Sequence, residues 1–198
     1  EPPETRRLVF LVIVGTLPLF LILPVKKYVE GLGRSPVFVS CALLVTGCIL
    51  FFSDRMASGR KTARSATVKD VLLVGVAQGI ATIPGLSRSG CTISAGMALG
   101  FRREFAVRYS FLMSLPAVFG ATLLEVKDTL SAGSGIPDGM LGKYLLGMVI
   151  AGVVGYFAIR LVNLLANKGK FGAFAYYCWI AGVLFLVLSL LGVTFVPA

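Results

Sequence analysis

The sequence is poor in the charged residues that cover a soluble protein. Only 14% of its 198 residues are charged, nine are acidic, one is tryptophan and none is histidine. Soluble domains carry about 25% charged residues. The chain is instead 57% hydrophobic, and several apolar runs have the length of about 20 residues that crosses a bilayer. The composition predicts an all-α, polytopic membrane protein with a single membrane domain over residues 1–198.

The lack of histidine also restricts the metal sites that the chain could form. The four cysteines share no CxxC spacing, and zinc sites need closely spaced thiolate or imidazole ligands. We therefore predict no metal-ligating residue from the pattern of the sequence alone.

The basic residues outnumber the acidic ones and give a net charge of +10. In a soluble protein this excess would point to nucleic acid. Here most lysines and arginines fall in short loops between apolar runs, where such residues set the orientation of a membrane protein. We therefore expect no nucleic-acid partner.

Five apolar segments are long enough to cross the membrane, and two others are not. The crossings are predicted at residues 8–25, 36–53, 105–124, 143–166 and about 174–196, with a kink at Pro18. Loops are predicted over residues 26–35 and 54–70, the second of them solvated. Residues 71–83 and 89–101 are apolar but only thirteen residues long, which is too short to span. They form either two halves of one broken crossing or a re-entrant hairpin over residues 71–101.

The distribution of positive charge chooses between these two arrangements. With a single broken crossing, the lysines and arginines outside residues 71–101 divide nine to nine between the two sides of the membrane. With a hairpin they divide thirteen to five. Because cytoplasmic loops carry the excess of positive charge, the sequence favours the hairpin, with loops 54–70, 101–104 and 167–172 in the cytoplasm.

Each arm of this hairpin also contains two glycines four residues apart. They are Gly75 and Gly79 in the first arm, and Gly96 and Gly100 in the second. Small residues at this spacing let helices approach closely in a membrane, so both arms are predicted to pack tightly.

Arg88 is the single charged residue within the apolar hairpin. An arginine near the middle of a bilayer costs about 2.5–3.5 kcal/mol on insertion scales. The nearest acidic residues are Asp70 and Glu104, at the outer ends of the segment. An anionic ligand, or a carboxylate from elsewhere, would offset this cost. A purely structural arginine that reaches towards the membrane surface remains the alternative.

The residues around Arg88 suit an anion. Pro84 and Gly85 are predicted to end the first arm, and Ser87 or Ser89 to cap the second. The amides expected to point from the helix N-terminus into the break are those of Gly90, Cys91 and Thr92. Free amides, hydroxyls and a guanidinium together form a phosphate cradle.

These residues belong to a longer stretch that resembles a known family. The segment QGIATIPGLSRSGCTISAGMALGFRREFAVRYSFLMSLPAVFGA is similar to the second signature region of bacterial undecaprenyl-diphosphate phosphatases of the bacitracin-resistance type. The residues that match its PGxSRSxxT pattern are Pro84, Gly85, Ser87, Arg88, Ser89 and Thr92. The resemblance implies a fold of two inverted repeats, each with a re-entrant hairpin, of which this chain would hold one and part of the other.

The resemblance also implies an activity and a location. Such an enzyme removes the terminal phosphate of undecaprenyl diphosphate, among the lipids of the bacterial cytoplasmic (inner) membrane, and so recycles the lipid carrier of peptidoglycan synthesis. By this resemblance Arg88, Ser87 and Thr92 are catalytic. The residues implied to contact the substrate are Gly85, Ser89, Gly90 and Gln78, although a buried glutamine more often bonds a neighbouring helix. A homodimer is left open.

The chain departs from the family in one respect. The family's first signature has two glutamates four apart and a serine-rich stretch that ends in histidine, and this sequence contains no such stretch. The resemblance implies a divalent cation, Mg²⁺ or Ca²⁺, whose ligands are expected in a segment before Glu1. We therefore expect the chain to be the C-terminal two thirds of such an enzyme and to be catalytically incomplete alone. The alternative is a membrane protein that binds or transports an anion or a lipid phosphate without catalysis.

Overall fold

The computed structural model describes residues 3–131, 140–167 and 172–192, and these residues are helical apart from their connections. A 3₁₀ helix at Leu17–Val25 separates the first two α-helices. The α-helices are α1 (Pro3–Thr16), α2 (Lys26–Leu32), α3 (Pro36–Arg55), α4 (Val68–Ile80), α5 (Arg88–Ala98), α6 (Arg103–Ser131), α7 (Leu141–Asn167) and α8 (Gly172–Leu190). The described residues contain no β-strand, so the predicted all-α class is confirmed.

Five helical segments are long and apolar enough to cross a membrane, which is the predicted number. They are Glu4–Ile22, Pro36–Arg55, Arg103–Ser131, Leu141–Val162 and Gly172–Leu190. The third extends further than the sequence indicated, because α6 continues as a helix through Pro116 and on to Ser131. The chain is a multi-pass membrane protein.

The first crossing changes its helix type near the predicted kink. The α-helix ends at Thr16, and the 3₁₀ helix then carries Pro18 and Pro24. Proline has no amide hydrogen to donate within a helix. The predicted loop at 26–35 is wrong in its first part, because residues Lys26–Leu32 form α2. This stretch contains lysine, glutamate and leucine, all good helix formers.

Lys61 contacts both the start of the first arm and the residues that follow the second arm. The Lys61 amide donates to Gly100 O at 2.9 Å, and the Arg102 amide donates to Lys61 O at 2.9 Å. The Lys61 Nζ atom lies 2.9 Å from both carboxylate oxygens of Asp70, in the first turn of α4. A single broken crossing would place Asp70 and Gly100 on opposite sides of the membrane. These contacts agree with the hairpin arrangement, and its re-entry from one side of the membrane stays a prediction.

Loop 56–67 is mostly exposed, as predicted, but it is also fixed to the helices by contacts that the sequence did not predict. Arg7 of α1 donates to Ala63 O and Ala66 O at 2.8 and 3.0 Å. Ala66 is completely buried. Arg103 at the start of α6 donates to Asp54 Oδ1 at 3.0 Å. We call this end of the molecule, where α1, loop 56–67 and the start of α6 meet, the basic end.

Small residues permit the closest helix contacts. A Cβ atom on Gly75 of α4 would clash with Gly15 O and would fall 2.9 Å from the Pro18 Cγ atom. A Cβ on Gly96 of α5 would fall 2.9 Å from Phe101 Cδ2. Tight packing at these glycines is confirmed. Gly75, however, packs against the first crossing rather than against the other arm of the hairpin.

Candidate functional site

The break between α4 and α5 is a compact turn built by Pro84 and Gly85. The Leu86 amide donates to Ile83 O at 3.1 Å across it. Gly85 has a φ of +95°, in the left-handed region that glycine adopts without steric cost. A Cβ atom at Gly85 would also fall 2.6 Å from Val39 O of α3. Any side chain here would meet the backbone of α3. The first arm itself ends earlier than predicted, at Ile80 rather than at Pro84 and Gly85, because the Thr82 and Ile83 amides already turn back to Gly79 O and Ile80 O.

Ser87 caps the second arm, as one of the two predicted alternatives. Its Oγ atom accepts a hydrogen bond from the Gly90 amide at 3.1 Å, and its carbonyl accepts from the Cys91 amide at 2.9 Å. The first amides of a helix have no partner within the helix. Two of the three amides predicted to be free are therefore occupied, which corrects that prediction.

The free amides belong to the two residues just before Gly90. Among the residues that the structure describes, the amides of Arg88 and Ser89 have no hydrogen-bond acceptor. They form the first turn of α5, where the helix dipole is positive. The first turn of α5 thus has two free amides, at residues 88 and 89, and that they hold a phosphate stays a prediction.

The side chain of Arg88 has no partner in the described part of the chain. Its guanidinium accounts for no hydrogen bond or ion pair there, and the residue is only partly exposed. The arginines with described ion pairs lie instead at the basic end, and each reaches a carboxylate: Arg64, Arg102 and Arg103. A partly buried arginine without an anion is costly, so this side chain is available to bind one.

Thr92 is directed into the protein rather than into the break. It is 2% exposed, and its Oγ1 atom lies 2.9 Å from Arg88 O, 3.2 Å from Ser89 O and 2.6 Å from Ser110 Oγ. The hydroxyl thereby connects the first turn of α5 to α6. Its catalytic role stays a prediction, but these contacts suit a group that holds the backbone of Arg88 in place.

The remaining predicted residues differ in their surroundings. Ser89 is partly exposed beside Arg88, whereas Gly90 is buried, and a Cβ at Gly90 would fall 3.0 Å from Leu50 Cδ2.

Gln78 of α4 is 1% exposed, and its Nε2 atom is buried without a partner among the described residues. A buried amide without an acceptor costs about 1–3 kcal/mol. Gln78 thus has an unused donor within the hairpin.

Two residues that hold the break in place were not predicted from the sequence. Thr46 of α3 donates to Gly85 O at 2.9 Å and accepts from the Ser87 amide at 3.1 Å. Ser110 of α6 bonds Thr92. Hydroxyl residues inside apolar helices commonly bond a neighbouring helix, so their type was a signal. Their partners depend on tertiary packing, which the sequence does not reveal.

At the basic end, Asp70 and Lys61 form the main electrostatic contact of the hairpin. Burial raises the pKa of the Asp70 carboxyl, but hydrogen bonds from Thr67 and Lys61 outweigh burial and lower its pKa. Thr67 also caps α4, since its hydroxyl accepts from the Asp70 amide while Asp70 Oδ2 accepts from the Thr67 amide. The charged carboxylate therefore stabilises the start of the hairpin.

A separate apolar cavity of about 480 Å³ lies between the first crossing and α6. Its lining includes Thr82, in the turn between the two arms of the hairpin, and Lys127 of α6. Arg88 is not among its lining residues. The other lining residues are mainly aliphatic or aromatic, so the cavity suits hydrocarbon rather than a diphosphate.

The donors around Arg88 do not fit a divalent cation. Hard cations take oxygen ligands, chiefly carboxylates. Among the described residues there is no group of three or more His, Cys, Asp or Glu side chains that could hold a metal ion. The hydroxyls, amides and guanidinium of this site are anion-binding groups, so we derive no metal-dependent step from it.

Comparison with known proteins decides the family. The model of the family described as bacitracin resistance protein BacA matches residues 2–184. The chain belongs to the BacA family. The resemblance inferred from PGLSRSGCT is thereby confirmed.

Relatives of this BacA-family chain carry the name undecaprenyl-diphosphatase. The protein of Methanosphaera stadtmanae is 40% identical over 190 residues, which cover 94% of this chain and 66% of that protein. The protein of Halothermothrix orenii is 41% identical over 94% of this chain and 71% of its own length. The chain thus spans about two thirds of these two relatives. A third, from Methanothermobacter thermautotrophicus, is 41% identical and is covered over 100% of its length.

Proposed function

We propose that the chain takes part in the dephosphorylation of undecaprenyl diphosphate to undecaprenyl phosphate. We propose further that residues 84–90, which we call the Arg88 loop, bind the diphosphate. The observation that carries the proposal is the partly buried guanidinium of Arg88, which lacks a described partner beside two free amides at a helix N-terminus. The name undecaprenyl-diphosphatase, borne by relatives about 40% identical, supports this substrate.

The division of roles follows from the contacts. Arg88 presents a planar fork of donors that matches phosphate oxygens in pairs. The amides of Arg88 and Ser89, with the Ser89 hydroxyl, add donors on the same first turn of α5. Ser87 and Thr92 keep this turn in place, and Ser87 Oγ can still donate its own proton to a phosphate oxygen. Together these groups stabilise negative charge on the phosphate that is transferred.

The lipid part of the substrate requires an apolar surrounding. The cavity between the first crossing and α6 supplies one near the end of the hairpin, and the bilayer supplies the rest. We place the protein in the bacterial cytoplasmic membrane, with membrane lipids as its neighbours, although its relatives come from archaea as well as bacteria. A homodimer stays a prediction.

A second candidate function is the binding or transport of a lipid phosphate without chemistry. One observation favours it: Arg88 has no described carboxylate close to it, and the chain contains no histidine. Hydrolysis needs a group that positions or deprotonates water. In the diphosphatase proposal, residues outside the Arg88 loop would hold the divalent cation and supply the base.

Release of phosphate from undecaprenyl diphosphate tests the proposal and separates it from the second candidate. The protein extracted from its native membrane is compared with its Arg88→Ala variant. Two charge-assisted hydrogen bonds contribute about 1.5–3 kcal/mol each, so we expect release to fall by about a hundredfold or more. Arg160→Ala is the matched control, because Arg160 is exposed on α7, and it should leave release unchanged.

Three results have separate meanings. Loss of release in the Arg88 variant alone supports the diphosphatase. Tight binding by the wild-type protein without any release supports the second candidate. Equal release and equal binding by the wild-type and Arg88→Ala proteins would show that the site is wrongly assigned.

A further inference from the structure

One face of α3 forms the surface on which the Arg88 loop lies. A Cβ atom at Gly85 would fall 2.6 Å from Val39 O and 2.8 Å from Ala42 Cβ, and one at Gly90 would fall 3.0 Å from Leu50 Cδ2. Positions 39, 42, 46 and 50 are three or four residues apart and therefore share one face of the helix. Thr46 is the one polar side chain of this set.

Thr46 bonds both sides of the break with a single hydroxyl. Its Oγ1 atom donates to Gly85 O at 2.9 Å and accepts from the Ser87 amide at 3.1 Å. Thr46 is 2% exposed. In the described part of the chain neither of these two backbone groups has another partner. The hydroxyl thus replaces the backbone hydrogen bonds that end where the helix is interrupted.

Fixing Ser87 fixes the groups that follow it. Ser87 is the N-cap of α5, so its backbone sets where the amides of Arg88 and Ser89 point. Arg88 is the first helical residue, and the position of its Cα depends on the same backbone. Binding groups act best when they are held in place before the ligand arrives.

We propose that Thr46 is a positioning residue for the diphosphate site: its hydroxyl holds the Gly85–Ser87 backbone in the conformation that presents Arg88 and the free amides. As far as the ligand is concerned, this inference rests on the proposed function. Thr46 does not itself touch the diphosphate. It acts through Ser87.

Three variants of the full protein test the inference. Thr46→Val keeps the shape of the side chain but removes the hydroxyl, and Thr46→Ser keeps the hydroxyl but removes the methyl group. Ser40→Ala is the matched control on the same helix. Ser40 is also 2% exposed, but its hydroxyl donates to Pro36 O at 2.8 Å within α3.

The first measurement needs no ligand. Hydrogen exchange of the peptide that covers residues 85–90 reports on the Ser87 amide directly. We expect exchange about tenfold faster in Thr46→Val, and no change in Thr46→Ser or Ser40→Ala. A general loss of stability would instead speed exchange in all helices. Equal loop exchange in Thr46→Val and the wild-type protein would overturn the inference.

The second measurement is the affinity for farnesyl diphosphate, a short polyprenyl diphosphate. We expect binding about tenfold weaker in Thr46→Val, or about 1.4 kcal/mol, with wild-type affinity in Thr46→Ser. Faster loop exchange with unchanged affinity, while Arg88→Ala abolishes binding, would refute the positioning role and leave the proposed function intact. If the wild-type protein did not bind at all, the proposed function would fail, and exchange alone would decide whether Thr46 holds the loop.

Discussion

At the scale of single residues, the roles in this chain divide between groups that face the break and groups that hold them there. Arg88 and Ser89 have free donors at the break, whereas Ser87, Thr92 and Thr46 use their hydroxyls within the protein. The sequence singled out Arg88, because a lone arginine in an apolar segment is conspicuous, but it did not predict which amides are free. It predicted a cap at Ser87 or Ser89, but not the contact of Thr92 with Ser110, since a motif does not reveal where a hydroxyl points. The catalytic roles of Ser87 and Thr92 stay predictions.

Asp70 gives a prediction for the dependence of stability on pH. Its pKa is lowered from the ordinary value of 3.8, so the folded state prefers the charged carboxylate. The contribution of Asp70 is therefore fully present above pH 3.8 and is lost as the pH falls through the lower folded pKa. We expect Asp70→Asn to lower the free energy of unfolding by about 1.5–3 kcal/mol at neutral pH.

Unfolding in detergent, followed across the pH range, measures this contribution. The difference between wild type and Asp70→Asn isolates Asp70 from the other carboxylates, and it should shrink only below pH 3.8. Glu104→Gln serves as the control, because Glu104 is exposed beside Arg102 and exposed pairs contribute little. A difference that stayed constant down to the lowest pH would mean that the charge on Asp70 is unimportant.

At the scale of elements, hydropathy predicted the five crossings because burial in hydrocarbon requires long apolar helices. It did not predict α2, which is short and polar, or the fixed course of loop 56–67. That course depends on Lys61, which bonds Gly100, Arg102 and Asp70. Contacts between residues this far apart in the chain leave no periodic pattern. The sequence therefore predicted that the loop is solvated, but not the contacts that hold it.

The turn between α4 and α5 is the element most sensitive to substitution. Gly85→Ala would strain a φ of +95° and place a Cβ against Val39 O. We expect it to displace the loop and weaken farnesyl diphosphate binding by about tenfold or more. Gly152→Ala on α7 is the control, since a Cβ there meets nothing within 4 Å and alanine favours a helix by about 1 kcal/mol.

Affinity and thermal unfolding of both variants complete this test. Gly152→Ala should bind normally and should be at least as stable as the wild-type protein. Wild-type affinity in Gly85→Ala would show that the loop tolerates a side chain and that its conformation does not govern binding.

At the scale of the whole molecule, the hairpin determines which loops share a side of the membrane. Residues just before and just after it, Lys69 and Arg102, should lie on one side, and Asp128 on the other. In a chain whose four cysteines are replaced by alanine, Lys69→Cys, Arg102→Cys and Asp128→Cys are labelled singly with a membrane-impermeant maleimide. In intact cells we expect label at residue 128 alone, because the excess of positive charge predicts that the basic end faces the cytoplasm.

Inverted membrane vesicles supply the complement of this experiment. There residues 69 and 102 should react and residue 128 should not. Reaction of residues 69 and 102 from opposite sides would mean that the chain crosses the membrane between them, contrary to the hairpin.

In the proposed function, the first turn of α5 binds the diphosphate through the Arg88 side chain and the free amides of Arg88 and Ser89. Backbone amide resonances of the ¹⁵N-labelled protein, recorded while farnesyl diphosphate is added, test it most directly. The amides of Arg88 and Ser89 should shift strongly, those of Gly90 and Cys91 much less, and the Arg88→Ala variant should lose the response. Shifts confined to the basic end, or a response that survives in Arg88→Ala, would show that the diphosphate does not bind at the first turn of α5.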